Sequence, residues 1–137
     1  MAKRRVLLTG ATGYIASQML PTLRERYDLV LADVRPTNRA GETVEGVQIA
    51  DLSDSDLDKN RPLFKGVDTV VHLAFNHRQG PREESYLAER TNVDMAYNVY
   101  RLLQQEGGRR VVMASSNHAA DFYEHPIWRR QLDRISP

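Results

Sequence analysis

The 137-residue chain has no cysteine, which removes disulfides and thiolate chemistry and fits a reducing, cytoplasmic compartment. It also lacks any surplus of charge. Nineteen basic against eighteen acidic side chains leave a formal net charge of +1, with no block of like charge long enough to act as an electrostatic arm, so nucleic acid is not expected as a partner. Long apolar runs are missing, so no segment is expected to span or bind a membrane. Lys3-Arg4-Arg5 opens like a signal peptide, yet Val6-Leu7-Leu8 gives way at once to Thr9-Gly10, and the stretch reads as a strand rather than an export signal. Internal repeats, low-complexity tracts and interdomain linkers are not found, so one domain over residues 1–137 is expected, large enough to bury a real core.

What is present begins at Val6. Residues 6–16 read V-L-L-T-G-A-T-G-Y-I-A, an apolar strand running into two glycines three apart and then into a helical pattern. Glycines at 10 and 13 can take backbone angles closed to other residues and carry no side chain. A pyrophosphate could therefore approach the chain and meet N–H groups at a helix N-terminus. Ala16 stands where a third small residue lets the helix lie close on its strand. About 20 residues beyond Gly13, Leu29-Val30-Leu31-Ala32 ends in Asp33, at the spacing where an acid accepts hydrogen bonds from an adenosine ribose. Turn and acid together predict dinucleotide binding.

Strand and helix alternate along the rest of the chain. Val6 to Thr9 is the first strand, and Ile15, Met19 and Leu23 mark the buried face of a helix ending near Tyr27, with a kink or early stop expected at Pro21. Leu29 to Ala32 and Val47 to Ala50 are further strands, joined by a polar loop from Pro36 to Gly46. Thr69 to Ala74 is a nearly continuous apolar run, as suits a strand covered on both faces, and its His72 reads as a sheet residue. A helix from Ser85 to about Glu106 places Leu87, Val93, Tyr97, Tyr100 and Leu103 at near-helical spacings, and Gly107-Gly108 stops it. Arg110 to Ala114 is the fifth strand. Asp54, Asp56 and Asp58 lack the glycine and distal glutamate of a calcium loop and read as solvated helix charge, so no metal site is expected.

This alternation predicts an α/β fold, a Rossmann-like doubly wound parallel sheet of order 3-2-1-4-5 with its ligand crevice between strands 1 and 4. The segments ending at that crevice carry small or polar residues: Gly10 to Gly13, Asp33, Asp51-Leu52, Leu73 to Asn76 and Ser115-Ser116.

With T-G-A-T-G-Y-I-A, A-D-L, H-L-A, T-N-V and S-S-N-H in this order and at these intervals, the chain resembles the extended short-chain dehydrogenase/reductase superfamily, in its NAD-dependent epimerase and dehydratase branch. The A-S-S-N-H run is similar to that of uronate dehydrogenases and their sugar-acid relatives. The resemblance implies that Gly10, Gly13, Tyr14 and Ile15 line the pyrophosphate of NAD and that Asp33 holds the adenosine ribose. Asp51 and Leu52 would bind adenine, the carboxylate taking the exocyclic amine; a helix cap is the equal alternative for Asp51. Leu73 and Ala74 would pass beneath the cofactor, Asn92 would hold backbone in the active-site network, and Ser115 would adjoin the cofactor. Ser116 matches the catalytic serine, which hydrogen-bonds the reacting substrate oxygen, and Asn117 and His118 resemble residues that bind a sugar acid. NAD is expected over NADP because Asp33 repels a ribose 2′-phosphate, although Arg35 and Arg39 lie close enough to soften the preference.

One departure is large. These enzymes use a tyrosine four residues before a lysine for proton transfer. Here Tyr86 is followed by Arg90, Tyr97 by Arg101 and Tyr123 by Ile127. The chain is thus expected to be the NAD-binding part of such an oxidoreductase, incomplete before the Tyr-Lys helix and the substrate-binding part, with a sugar or sugar acid as the small-molecule substrate. A full-length enzyme leaves room for a homo-oligomer. A non-catalytic NAD-binding module and a nucleotide-sugar epimerase or dehydratase stay open as alternatives.

Overall fold

Strand β1 (Arg5–Thr9) is the axis of the molecule in the computed structural model, which describes residues 3–77, 81–116, 118, 121 and 123–131. It pairs in parallel with β2 (Asp28–Asp33) on one side and β4 (Thr69–His72) on the other, Leu7 lying between Val30 and Val70. Outside these run β3 (Val47–Ile49), paired with β2, and β5 (Arg110–Met113), paired with β4. The sheet order is β3-β2-β1-β4-β5, parallel throughout. This is the Rossmann-like arrangement the alternating pattern predicts, because right-handed crossovers leave little other choice.

Side chains alternate across the pleat and so divide the core in two. Val6, Leu8, Leu31 and Val71 meet Ala16 and Leu20 of α1 (Tyr14–Arg26) on one face. Leu7, Val30 and Val70 meet Leu63 and Phe64 of α2 (Leu57–Phe64) and Met95, Val99, Leu102 and Leu103 of α3 (Arg82–Gln105) on the other. A short α4 (Glu124–Trp128) lies beyond β5. Among the described residues, no helix is long and apolar enough to cross a membrane.

The face of α1 is the expected one but for Ile15, whereas α3 turns a different face to the sheet from the one expected. In α1 the buried residues are Ala16 and Leu20, flanked by the partly buried Met19 and Leu23, while Ile15 is more than half exposed. Ile15 belongs to the first turn of α1. Pro21 neither stops nor shortens α1, which continues to Arg26. Its ring faces solvent, as does Ser17, whose carbonyl loses its helical partner, so the missing bond leaves nothing buried and unpaired. In α3 the expected stripe proves wrong apart from Leu103: Leu87, Val93, Tyr97 and Tyr100 are each at least half exposed. The buried stripe is Ala88, Met95, Asn98, Val99, Leu102 and Leu103. A helix of 24 residues carries two stripes at helical spacing, and Asn98 disguises the inner one.

The ends of the elements follow local chemistry. Gly107, at φ +77°, and Gly108 close α3 by donating to the carbonyls of Gln104 and Leu103, a Schellman motif. Asp56 caps α2 by accepting from the Asp58 N–H. The helix-cap alternative for Asp51 is thereby excluded.

Candidate functional site

The carboxyl ends of β1 to β4 open into one crevice of about 700 Å³. Its floor begins with the turn from β1 into α1. Gly10 sits at φ +67°, and a Cβ there would lie 2.6 Å from the Ala74 nitrogen and 2.7 Å from the Leu73 carbonyl carbon. Only glycine meets both demands, since the left-handed angle penalises other residues and the two backbones leave no room. Gly13 differs from expectation. Its φ of −72° is open to any residue, and what it requires is space, because a Cβ would stand 3.1 Å from the Gly10 carbonyl oxygen. As N-cap of α1, Gly13 offers no side chain to the first-turn N–H groups, and that turn contains no acid. The positive end of the helix therefore faces the crevice with its donors uncapped, a setting suited to an anion.

Asp33, the last residue of β2, lines the opposite wall. Its Oδ2 accepts from the Thr12 N–H at 3.0 Å and from the Thr12 hydroxyl at 2.8 Å, and its Oδ1 accepts from the Val34 N–H at 2.7 Å. Three donors fix the plane of the carboxylate and leave lone pairs for further donors. Arg35 and Arg39 line the same end of the crevice.

Past β3, Asp51, Leu52 and Ser53 form the next stretch of wall. The Asp51 Oδ1 accepts from the Ser53 N–H at 2.9 Å and the Ser53 hydroxyl at 2.6 Å, an Asx turn that sets the carboxylate. Leu52 is buried in the core. Asp54 pairs with Lys59 at 2.7 Å, and this contact holds its carboxyl below the usual carboxylate range.

Leu73 and Ala74 pass beneath Gly10, followed in the wall by Phe75, Asn76 and His77. Two devices hold this segment. The Thr9 hydroxyl accepts from the Ala74 N–H at 3.3 Å and lies 2.7 Å from the His72 Nδ1. Burial pushes the His72 imidazole below its ordinary value and so favours the neutral ring, whose Nδ1 shares one proton with the Thr9 hydroxyl. Asn92 of α3 clamps the Asn76 backbone from both sides, its Oδ1 accepting from the Asn76 N–H at 2.7 Å and its Nδ2 donating to the Asn76 carbonyl at 3.3 Å. Asn92 thus stands behind the wall rather than in it.

Of the residues expected in the site, Gly10, Gly13, Tyr14, Ile15, Asp33, Asp51, Leu52, Leu73 and Ala74 line the crevice together. Ser115, Ser116 and His118 do not. All three are exposed beyond β5, one strand farther from the glycine turn, where the Ser116 Oγ accepts from the His118 N–H and the His118 Nδ1 pairs with Asp121 at 2.9 Å. These local bonds close the run on itself. Asn117 lies outside the described residues. Sequence reading placed Thr12 and Phe75 only within segments that end at the crevice, and missed His77 and two buried asparagines, Asn60 and Asn98. Thr12 gives no signal without the fold, whereas Asn98 is a polar residue on an apolar helical stripe, a pattern open to detection once the right stripe is chosen.

The family model for the NAD dependent epimerase/dehydratase family matches residues 6–132. Uronate dehydrogenase of Pseudomonas syringae pv. tomato is 35% identical over 134 residues, 97% of this chain and 46% of that protein. NAD-dependent glucose-6-phosphate dehydrogenase of Haloferax volcanii is 32% identical over 123 residues, 87% of this chain and 45% of that protein. Among solved structures, uronate dehydrogenase from Agrobacterium tumefaciens, as a tyrosine-to-alanine mutant complexed with NAD, superposes with a TM-score of 0.66 at 33% identity, covering 85% of this chain and 42% of that one. The chain spans a little under half the length of the curated relatives it matches.

Proposed function

The chain belongs to the NAD-dependent epimerase/dehydratase family, and on that premise we propose that it forms the NAD-binding portion of an oxidoreductase acting on a sugar acid or a related sugar. The observation that carries the reading is the pairing, across one crevice, of an uncapped helix N-terminus with a fixed carboxylate, Asp33. The residues suit both ends of a dinucleotide's adenosine half. First-turn N–H groups of α1 take the pyrophosphate, with Tyr14 and Ile15 beside it, while Asp33 accepts the ribose hydroxyls. Asp51 accepts the exocyclic amine of adenine, and Leu52 supplies backbone and apolar contact. Leu73 and Ala74 run beneath the cofactor, their height set by Thr9 and by Asn92. When bound, NAD supplies a hydride acceptor for a carbinol carbon.

The sugar-acid part of the proposal draws on Ser116, Asn117 and His118 and on the uronate dehydrogenases among the relatives. Ser116 offers a hydroxyl to the oxygen at the reacting carbon, and its neighbours offer donors to a carboxylate or adjacent hydroxyls. A second reading, a nucleotide-binding module without chemistry, is favoured by the exposure of Ser116 and His118 outside the crevice.

Calorimetric titration of the chain with NAD and NADP tests the cofactor. NAD is expected to bind more tightly, and a chain that binds neither overturns the proposal. Substrate class is tested on a chain extended to the length of its relatives, offered hexuronates, glucose 6-phosphate and nucleotide sugars in turn. NADH formation with hexuronates supports the reading, and turnover of nucleotide sugars alone replaces it with an epimerase or dehydratase.

A further inference from the structure

Asn60 of α2 and Asn98 of α3 are almost fully buried, at 4% and 7% exposure. Burying an amide among leucines costs free energy unless its hydrogen bonds are made, and leucine would suit either helix face better. Both amides spend their donors on the same short stretch of crevice wall. The Asn60 Nδ2 donates to the Asp51 carbonyl at 2.7 Å, and the Asn98 Nδ2 donates to the carbonyls of Leu52 at 2.9 Å and Asp54 at 3.1 Å. Two helices thus hold three carbonyls of one four-residue turn from behind. In front, Ser53 ties up the Asp51 Oδ1, and among the described residues the Oδ2 takes no hydrogen bond. The acceptor that remains is held in place by the core itself.

We propose that Asn60 and Asn98 are positioning residues for purine selection, fixing the Asp51–Asp54 turn so that the Asp51 Oδ2 meets a 6-amino purine and turns away a 6-oxo purine. The proposal rests on the adenosine-binding reading above and adds to it the origin of base specificity. A carboxylate oxygen accepts from the amine of adenine and repels the carbonyl of hypoxanthine. That discrimination depends on the turn being rigid, because a mobile carboxylate would swing aside to water.

The test is calorimetric titration of the 137-residue chain with ADP and with inosine diphosphate. The wild type is expected to favour ADP by about tenfold, the scale of one hydrogen bond to a charged group. Asn98→Leu and Asn60→Ala should each shrink that ratio to about twofold or less while leaving affinity for nicotinamide mononucleotide unchanged, a split that a merely structural role would not produce. An unaltered ADP preference in a folded variant, or a wild type that does not discriminate, overturns the proposal. A wild type that binds neither diphosphate overturns the adenosine-binding reading instead. Should both variants unfold, hydrogen exchange of the side-chain amides in the ligand-free wild type decides: protection of both supports a turn fixed in advance, and fast exchange of either overturns it.

Discussion

Thr12 donates twice to a single oxygen of Asp33, from its N–H at 3.0 Å and its hydroxyl at 2.8 Å. The glycine turn after β1 and the acid at the end of β2 are therefore one unit. A residue that reads as filler between Gly10 and Gly13 sets the orientation of the carboxylate across the crevice. Such preorganisation shifts the cost of ordering from binding to folding.

If Asp33 holds the ribose, removing it weakens NAD more than NADP. Asp33→Ala is expected to lower NAD affinity about 10- to 100-fold, from the 1.5–3 kcal/mol of a hydrogen bond to a charged group. Thr12→Val, which keeps the N–H bond and loses the hydroxyl, should cost roughly threefold and narrow the NAD-over-NADP ratio. Parallel titrations with both cofactors measure this, and an Asp33→Ala chain with unchanged NAD affinity removes Asp33 from the role.

Gly10 and Gly13 should respond differently to the same change. Gly10→Ala places a Cβ 2.6 Å from a backbone nitrogen at a φ of +67°, so a loss of about 3 kcal/mol or more of stability is expected. Gly13→Ala leaves the backbone angle acceptable and meets one carbonyl oxygen at 3.1 Å, so stability should fall by about 1 kcal/mol or less while the methyl group intrudes on the anion site. Urea midpoints and NAD titrations on the two variants separate fold from binding.

The sheet order, the glycine turn and Asp33 are legible in the sequence because each follows from a short-range rule: apolar runs, a three-residue glycine spacing, an acid at a strand end. The face of α3 is not. Leu87, Val93, Tyr97 and Tyr100 have helical spacing and yet point outward, since periodicity gives a stripe without saying which side the sheet lies on. Gly13 shows a subtler gap: its place in the motif is readable, whereas the reason for it, room rather than backbone angle, needs the Gly10 carbonyl in position. The support for the crevice comes from residues far away in sequence, Asn98 to Leu52 and Asn92 to Asn76, and such pairings exist only after folding. Ser116 stands apart beyond β5, an outer strand whose Val112 and Met113 are exposed.

His72 should make stability depend on pH. Its ring is buried against Thr9, opposite the uncharged Met113 of β5, and burial holds its pKa below the ordinary 6.5. Between that lowered value and 6.5 the unfolded chain binds the proton and the native chain does not. Stability from this group is therefore complete above about pH 6.5 and falls as the pH drops through the window, levelling once the native ring is also protonated. His72→Gln, which stays polar but does not titrate, is expected to flatten this segment of the profile. Urea midpoints at half-unit steps from pH 5 to pH 8 provide the check, and a profile unchanged in the variant assigns the pH dependence elsewhere.

The 137 residues alone should give no turnover. Oxidising a sugar carbinol moves a hydride and a proton together, and the proton needs a base within hydrogen-bond reach of the hydroxyl. Tyr86 and Tyr97, each four residues before an arginine, lie on α3, and Tyr97 gives its ring and hydroxyl to Arg101, with the hydroxyl accepting at 2.7 Å. Ser116 and His118 are outside the crevice, so neither is placed to take the proton. Without a base positioned on the substrate hydroxyl, the rate is lower by roughly two to four orders of magnitude, before any loss of substrate binding. The chain is expected to bind NAD and yet give no NADH above background with glucuronate or galacturonate, read by the absorbance of the reduced nicotinamide. In a chain extended to the length of its relatives, activity should appear, and Ser116→Ala should then depress kcat/KM far more than cofactor affinity. NADH formation by the pure 137-residue protein would mean that a base is already in place and would overturn the assignment of proton transfer to residues beyond these.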